Sequence, residues 1–119
     1  MLKSLFPIAL ATALLLSSPV MAADALFSTA IEDLPLMEGM VEHADAVQFS
    51  TSAGRIAEVI VDAPYSKDAV LAFYKDTLPQ LGWTALDLTE FKREGEVLKL
   101  TIETQGSSVA VRFVLAPHE

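Results

Sequence analysis

Between Ser66 and Gly82 the chain carries one clear helical stripe. Val70, Phe73, Tyr74, Leu78 and Leu81 recur at spacings of three and four, while Lys67, Asp68, Lys75 and Asp76 fall on the opposite side. Ser66 is placed to cap the helix and Asp68 lies where the helix dipole favours an anion. Pro79 and Gly82 close the element, with Gly82 suited to a left-handed cap. A single amphipathic helix must bury its stripe against something, and the rest of the chain supplies strands. Leu98, Leu100 and Ile102 alternate with Lys99, Thr101 and Glu103, and Val109, Val111, Phe113 and Leu115 repeat the alternation with Arg112 on the other face.

Before the helix, Ala44–Thr51 and Arg55–Ala63 read as two strands joined at Ser52-Ala53-Gly54, a hairpin with a three-residue loop. After it, Trp83–Leu88, Phe91–Glu94, Val97–Thr104 and Val109–Leu115 read as a meander with reversals at Glu94-Gly95-Glu96 and Gln105-Gly106-Ser107. Hairpin, helix and meander predict an α+β fold, a two-layer sandwich of an antiparallel sheet with one covering helix. The domain is expected over residues 44–116. Residues 23–43 are expected to be an extended lead-in laid on its edge, with a short helix around Ala25–Ile31. Pro35 holds Leu34 extended and Gly39 marks a turn. Leu36, Met37 and Met40 are candidate contacts for a partner if exposed, and a structural strap if buried.

The first 22 residues stand apart. Lys3 precedes an apolar run from Ile8 to Leu16, Ser17-Ser18-Pro19 breaks it, and Val20-Met21-Ala22 puts small or modest side chains at a cleavage site. That order is a secretory signal peptide, cut after Ala22 or, as second choice, after Ala23. The rival is an uncleaved membrane anchor, because Leu5–Ala23 runs without a charge. The expected location is periplasmic or secreted.

The whole chain has 119 residues, 16 Asp plus Glu against 8 Lys plus Arg, and no cysteine. The acid excess excludes nucleic acid as a partner, since that affinity comes from neutralised phosphates. Without cysteine there is no acylation site, no thiol nucleophile and no thiolate metal site. Stability must come from packing.

Asp33-Leu34-Pro35-Leu36-Met37-Glu38-Gly39, the Gly54-Arg55 hairpin, Phe73-Tyr74-x3-Leu78-Pro79-x-Leu81-Gly82-Trp83 and Phe91-x-Arg93-x-Gly95 together carry a resemblance. The chain resembles a group of small bacterial exported proteins and lipoproteins with a Pro-x-x-x-Gly lead-in and a Phe-Tyr-x3-Leu-x3-Gly-Trp helix end. The resemblance covers residues 33–116 and implies the fold and the compartment. It brings no catalytic residues, and the chain departs from the lipoprotein members in having no cysteine to acylate.

No chemistry assembles from the remaining residues. His43 beside Glu42 and Asp45 is expected to be a surface histidine, and Ser50, Thr51 and Ser52 are expected to serve a turn. Glu38, Glu42, His43 and Asp45 could offer ligands to a divalent cation but lack the spacing of a calcium loop or a zinc helix. Glu90, Glu94 and Glu96 fall around a turn and are expected to be solvated, and the glycines are isolated singles rather than phosphate loops. Arg55, Lys92, Arg93 and Arg112 are expected to pair with surplus acids. No cofactor and no enzymatic activity are expected.

Two readings of function follow. The first is a non-catalytic envelope domain that binds another protein, an envelope protein for example, through an exposed strand edge or the Leu36–Met40 segment. The second is a small carrier of an apolar ligand or lipid, with Tyr74, Trp83, Leu98 and Phe113 lining a pocket between helix and sheet. As core side chains, the same four would fill that space themselves. Intact mass measurement of the polypeptide recovered from its own cells should show a chain starting at Ala23; a start at Met1 would restore the anchor.

Overall fold

The computed structural model describes residues 26–118, so the expected signal segment, residues 1–22, lies outside the described residues. Two short strands, β1 (Leu26–Phe27) and β2 (Pro35–Leu36), pair with each other. The main sheet then follows as β3 (Val41–Glu42), β4 (Val47–Thr51), β5 (Gly54–Ala63), helix α1 (Lys67–Thr77), β6 (Thr84–Asp87), β7 (Glu90–Arg93), β8 (Glu96–Gln105) and β9 (Ser108–Pro117). This sheet is antiparallel throughout, in the order β3-β5-β9-β8-β7-β6, with β4 also paired to β5. The fold is a two-layer α+β sandwich in which one face of the sheet carries the helix.

The helix forms as its sequence predicts. Ser66 Oγ accepts from the Ala69 N–H at 3.1 Å. A 3-10 turn over Leu78–Leu81 follows, and Gly82 ends it at φ +95°. A side chain at Gly82 would be strained there and would meet Arg93. Val70, Tyr74 and Leu78 are fully buried, Phe73 is partly buried, and Leu81 turns outward.

The core face of the sheet is built by alternation. Ala57, Val59, Val61 and Ala63 from β5, Val109, Val111, Phe113 and Leu115 from β9, Leu98 and Leu100 from β8, and Phe91 from β7 are all buried. Each large side chain so buried contributes about 1.5–3 kcal/mol before entropy is counted. Arg93 and Glu96 are joined by Glu94-Gly95 with both φ angles positive, the backbone of a tight hairpin turn.

The lead-in departs from its expected form in three ways. There is no helix from Leu26 to Ile31. Ser28 is buried, its Oγ accepts from the Ala30 and Ile31 N–H groups, and the chain bends there instead. Ile31 and Leu34 belong to the core rather than to its edge. The strand expected over Ala44–Thr51 begins only at Val47, as β4 pairing Val47 with Glu58, and a separate strand, β3, precedes it and pairs Val41 with Asp62. The register change leaves extra residues bulging between β3 and β4 along one edge of β5. The β4–β5 loop is also shorter than expected, since Thr51 and Gly54 are already paired.

Trp83, 4% exposed, closes the core where the helix ends. Trp83→Ala should destabilise the fold by about 3–5 kcal/mol in a urea titration. A loss within about 0.5 kcal/mol would place the indole outside the core.

Candidate functional site

Leu36, Met37 and Met40 are partly buried and packed against the core. Two tyrosines hold this segment down. Tyr74 Oη donates to Pro35 O at 2.7 Å and Tyr65 Oη donates to Glu38 O at 2.6 Å. Met40 Sδ lies 3.7 Å from Tyr74 Oη and accepts from the Met37 N–H. Burial pushes the Tyr74 phenol well above its ordinary range. These contacts make the segment a strap tied to the buried side of the helix.

Tyr74, Trp83, Leu98 and Phe113 come together as the expectation required, and they do so as core. They are 0%, 4%, 1% and 0% exposed, and the Tyr74 and Phe113 rings meet edge-on at 5.2 Å. Trp83 is covered by the Arg93 guanidinium at 4.3 Å, and its Nε1 has no acceptor among the described residues. Surface depressions among the described residues lie elsewhere, and two of them are the larger. One, of about 280 Å³, is on the open sheet face among Val97, Lys99, Val114 and Ala116. The other, of about 410 Å³, runs along Thr84, Leu86 and Lys92.

The charged residues assemble into local ties. Asp33 pairs with Arg93 and, at 3.4 Å, with Arg55, whose Nε donates to Glu96 at 2.7 Å. Burial works against the Asp33 carboxylate, but Arg93 and Arg55 outweigh it and hold its pKa below the ordinary 3.8. Glu42 accepts from Ser28 Oγ, Thr29 N–H and Thr29 Oγ1. Burial opposes its charge too, and those donors hold it below 4.5. His43 Nε2 sits 3.0 Å from Asp62, and Thr51 Oγ1 donates to Gly54 O within the turn. Among the described residues, no three His, Asp or Glu side chains gather where they could hold a metal ion.

The surface that sequence reasoning undervalued is β4. All five residues, Val47-Gln48-Phe49-Ser50-Thr51, are exposed, with Phe49 at 51% and Val47 at 46%. Register places Val47 opposite Glu58 and Phe49 opposite Ile56, so both apolar side chains lie on the open face of the sheet. There they adjoin Ile56 and the Glu58–Arg112 ion pair.

The His43 N–H donates to Ile60 O at 2.8 Å, so the even-numbered residues of β5 aim their polar groups at this edge. Val47, Phe49 and Thr51, opposite Glu58, Ile56 and Gly54, therefore bond inward to β5. Gln48 and Ser50 direct their N–H and C=O outward, where no strand pairs with them among the described residues. The signal was present in the sequence: from Ala46 to Gly54 there is no charge, in a chain that is 20% charged.

Among the described residues no helix is long and apolar enough to cross a membrane. No protein-family model, curated protein or solved structure matches this chain.

Because Asp33 and Glu42 titrate below their ordinary values in the folded chain, the unfolded chain takes up protons first on acidification. The stability that these carboxylates contribute is present above pH 3.8 and 4.5 respectively and is lost as pH falls through the lower folded values. Asp33→Asn and Glu42→Gln should each cost about 1 kcal/mol at neutral pH. Each should also flatten the loss of stability below pH 4.5, as followed by urea titrations across pH.

Proposed function

We propose that this chain is an exported, non-catalytic envelope domain that binds protein by strand addition at β4. One observation carries the reading: β4 has an uncharged outer edge, exposed at all five residues, with the backbone groups of Gln48 and Ser50 unpaired among the described residues. An extended segment laid there gains main-chain hydrogen bonds, and its alternate side chains meet Val47 and Phe49 on the open face. Natural sheets guard such edges with charge, proline or bulges. The bulge and Asp45 guard the neighbouring stretch before β4, and among the described residues nothing comparable guards β4 itself.

The compartment rests on residues 1–22, with their positive start, apolar run and small-residue cleavage site. With no cysteine to acylate, the product of cleavage is released into the periplasm or outside. The non-catalytic part of the reading rests on the engagement of the titratable groups. Asp33, Glu42, His43 and Glu96 each already hold a partner within the fold.

A photo-crosslinking residue at Gln48 tests the reading in the cells that make the protein, with Lys75 on the exposed helix face as the control position. Crosslinking to a polypeptide is expected from position 48 and not from 75. Ser50→Pro should abolish it, because this proline removes only an outward N–H and spares the β4–β5 ladder. No adduct from position 48, or equal adducts from both positions, overturns the reading.

A further inference from the structure

We infer that the strand added to β4 is β4 of a second copy of this chain, paired antiparallel about a two-fold axis through Phe49; this rests on the strand-addition reading. The register follows from which groups point outward. Among the described residues no strand takes up the outward N–H and C=O groups of Gln48 and Ser50, so an antiparallel partner must bond at those positions. Self-pairing with Gln48 opposite Ser50 of the second copy satisfies both positions at once. It leaves Phe49 opposite Phe49 at a pair without mutual hydrogen bonds, where side chains approach most closely.

Side-chain chemistry agrees with that register. On the open face Phe49 stacks against its own copy and Val47 meets the Thr51 methyl of the second chain. On the core-side face the Gln48 amide faces the Ser50 hydroxyl. Along the overlap Ala46 opposes Ser52, and the first charged residue, Asp45, opposes Ala53. No like charges therefore meet across the seam, although each chain carries a formal charge of −8. The opposite sheet edge lacks this property: β6 is bulged between Ala85 and Asp87 and carries Asp87. A foreign strand would have to match an edge that already matches itself.

A five-residue edge is small beside the roughly 1,200 Å² at the lower end of stable interfaces, so the dimer should form at high concentration and dissociate on dilution. The natural chain has no cysteine, so an introduced one reports only its own contact. In single substitutions Val47→Cys, Gln48→Cys, Phe49→Cys, Ser50→Cys and Thr51→Cys, oxidative dimerisation should peak at position 49. Opposed Cα atoms there lie about 4.5 Å apart, within disulfide reach, whereas the other positions face a different residue of the second copy. Phe49→Cys should dimerise roughly tenfold faster than the rest, and adding Ser50→Pro should erase the difference. Circular dichroism identifies any variant that fails to fold, and sedimentation of the wild-type chain over a concentration series checks the dimer without a substitution.

A flat cysteine profile or a peak elsewhere overturns the inference, as does a wild-type chain that stays monomeric at every concentration. Crosslinking from Gln48 then separates the two ideas. An adduct with a different polypeptide keeps strand addition and removes the second copy. No adduct removes both.

Discussion

The Tyr74 side chain joins the parts that would otherwise be independent. Its ring lies on the helix stripe and meets Phe113 of β9 edge-on, and its hydroxyl donates to Pro35 O in the lead-in. A buried phenol without an acceptor would cost roughly 1–3 kcal/mol, so the core is satisfied only when Pro35 is delivered to that position. The helix, the sheet and the strap therefore assemble together. Ser28 and Glu42 fix the same lead-in from the other side, and the link from Asp33 to Arg55, Arg93 and Glu96 ties its turn to the strand ends. A chain without disulfides thus anchors this lead-in segment through hydrogen bonds and ion pairs around an apolar centre.

What the sequence disclosed and what it hid have a common cause. Periodicity reports burial, so the helix from Ser66 and the alternating β8 and β9 were legible wherever one face is covered. In β5 residue size alone does not name the buried face, because Ile56 and Ile60 are larger than Ala57 and Ala63. Their register shows that the small residues point inward, beneath the helix and lead-in. In the lead-in, one side-chain oxygen on Ser28 displaced the expected helical turn. Local propensity cannot anticipate an acceptor brought from Glu42, fourteen residues later.

The candidate site was partly legible for a different reason. Tyr74, Trp83, Leu98 and Phe113 were expected together and are together, because the same apolar pattern that marks a pocket wall also marks a core. Leu36, Met37 and Met40 were noticed for their apolar area, and the tyrosines that cover them sit far off in sequence. In β4 the decisive features are backbone features. Which N–H groups point outward depends on pairing register, and register emerges only once β5 is placed between β4 and β9.

The distribution of charge over the sheet gives that edge its meaning. An acidic chain repels its own copies wherever carboxylates face each other, and at physiological ionic strength this repulsion is felt over about 8 Å. A contact between copies must therefore lie along a stretch broader than one strand residue in which neither chain presents an acid. Ala46–Gly54 is such a stretch. The basic residues nearest to it are already engaged: Arg55 by Glu96 and Asp33, and Arg112 by Glu58. With the neighbouring cations neutralised inside the fold, β4 presents neither attraction to an acidic segment nor repulsion of its own kind. What remains is backbone hydrogen bonding and the apolar area of Val47 and Phe49, and both are symmetric with respect to a second identical strand.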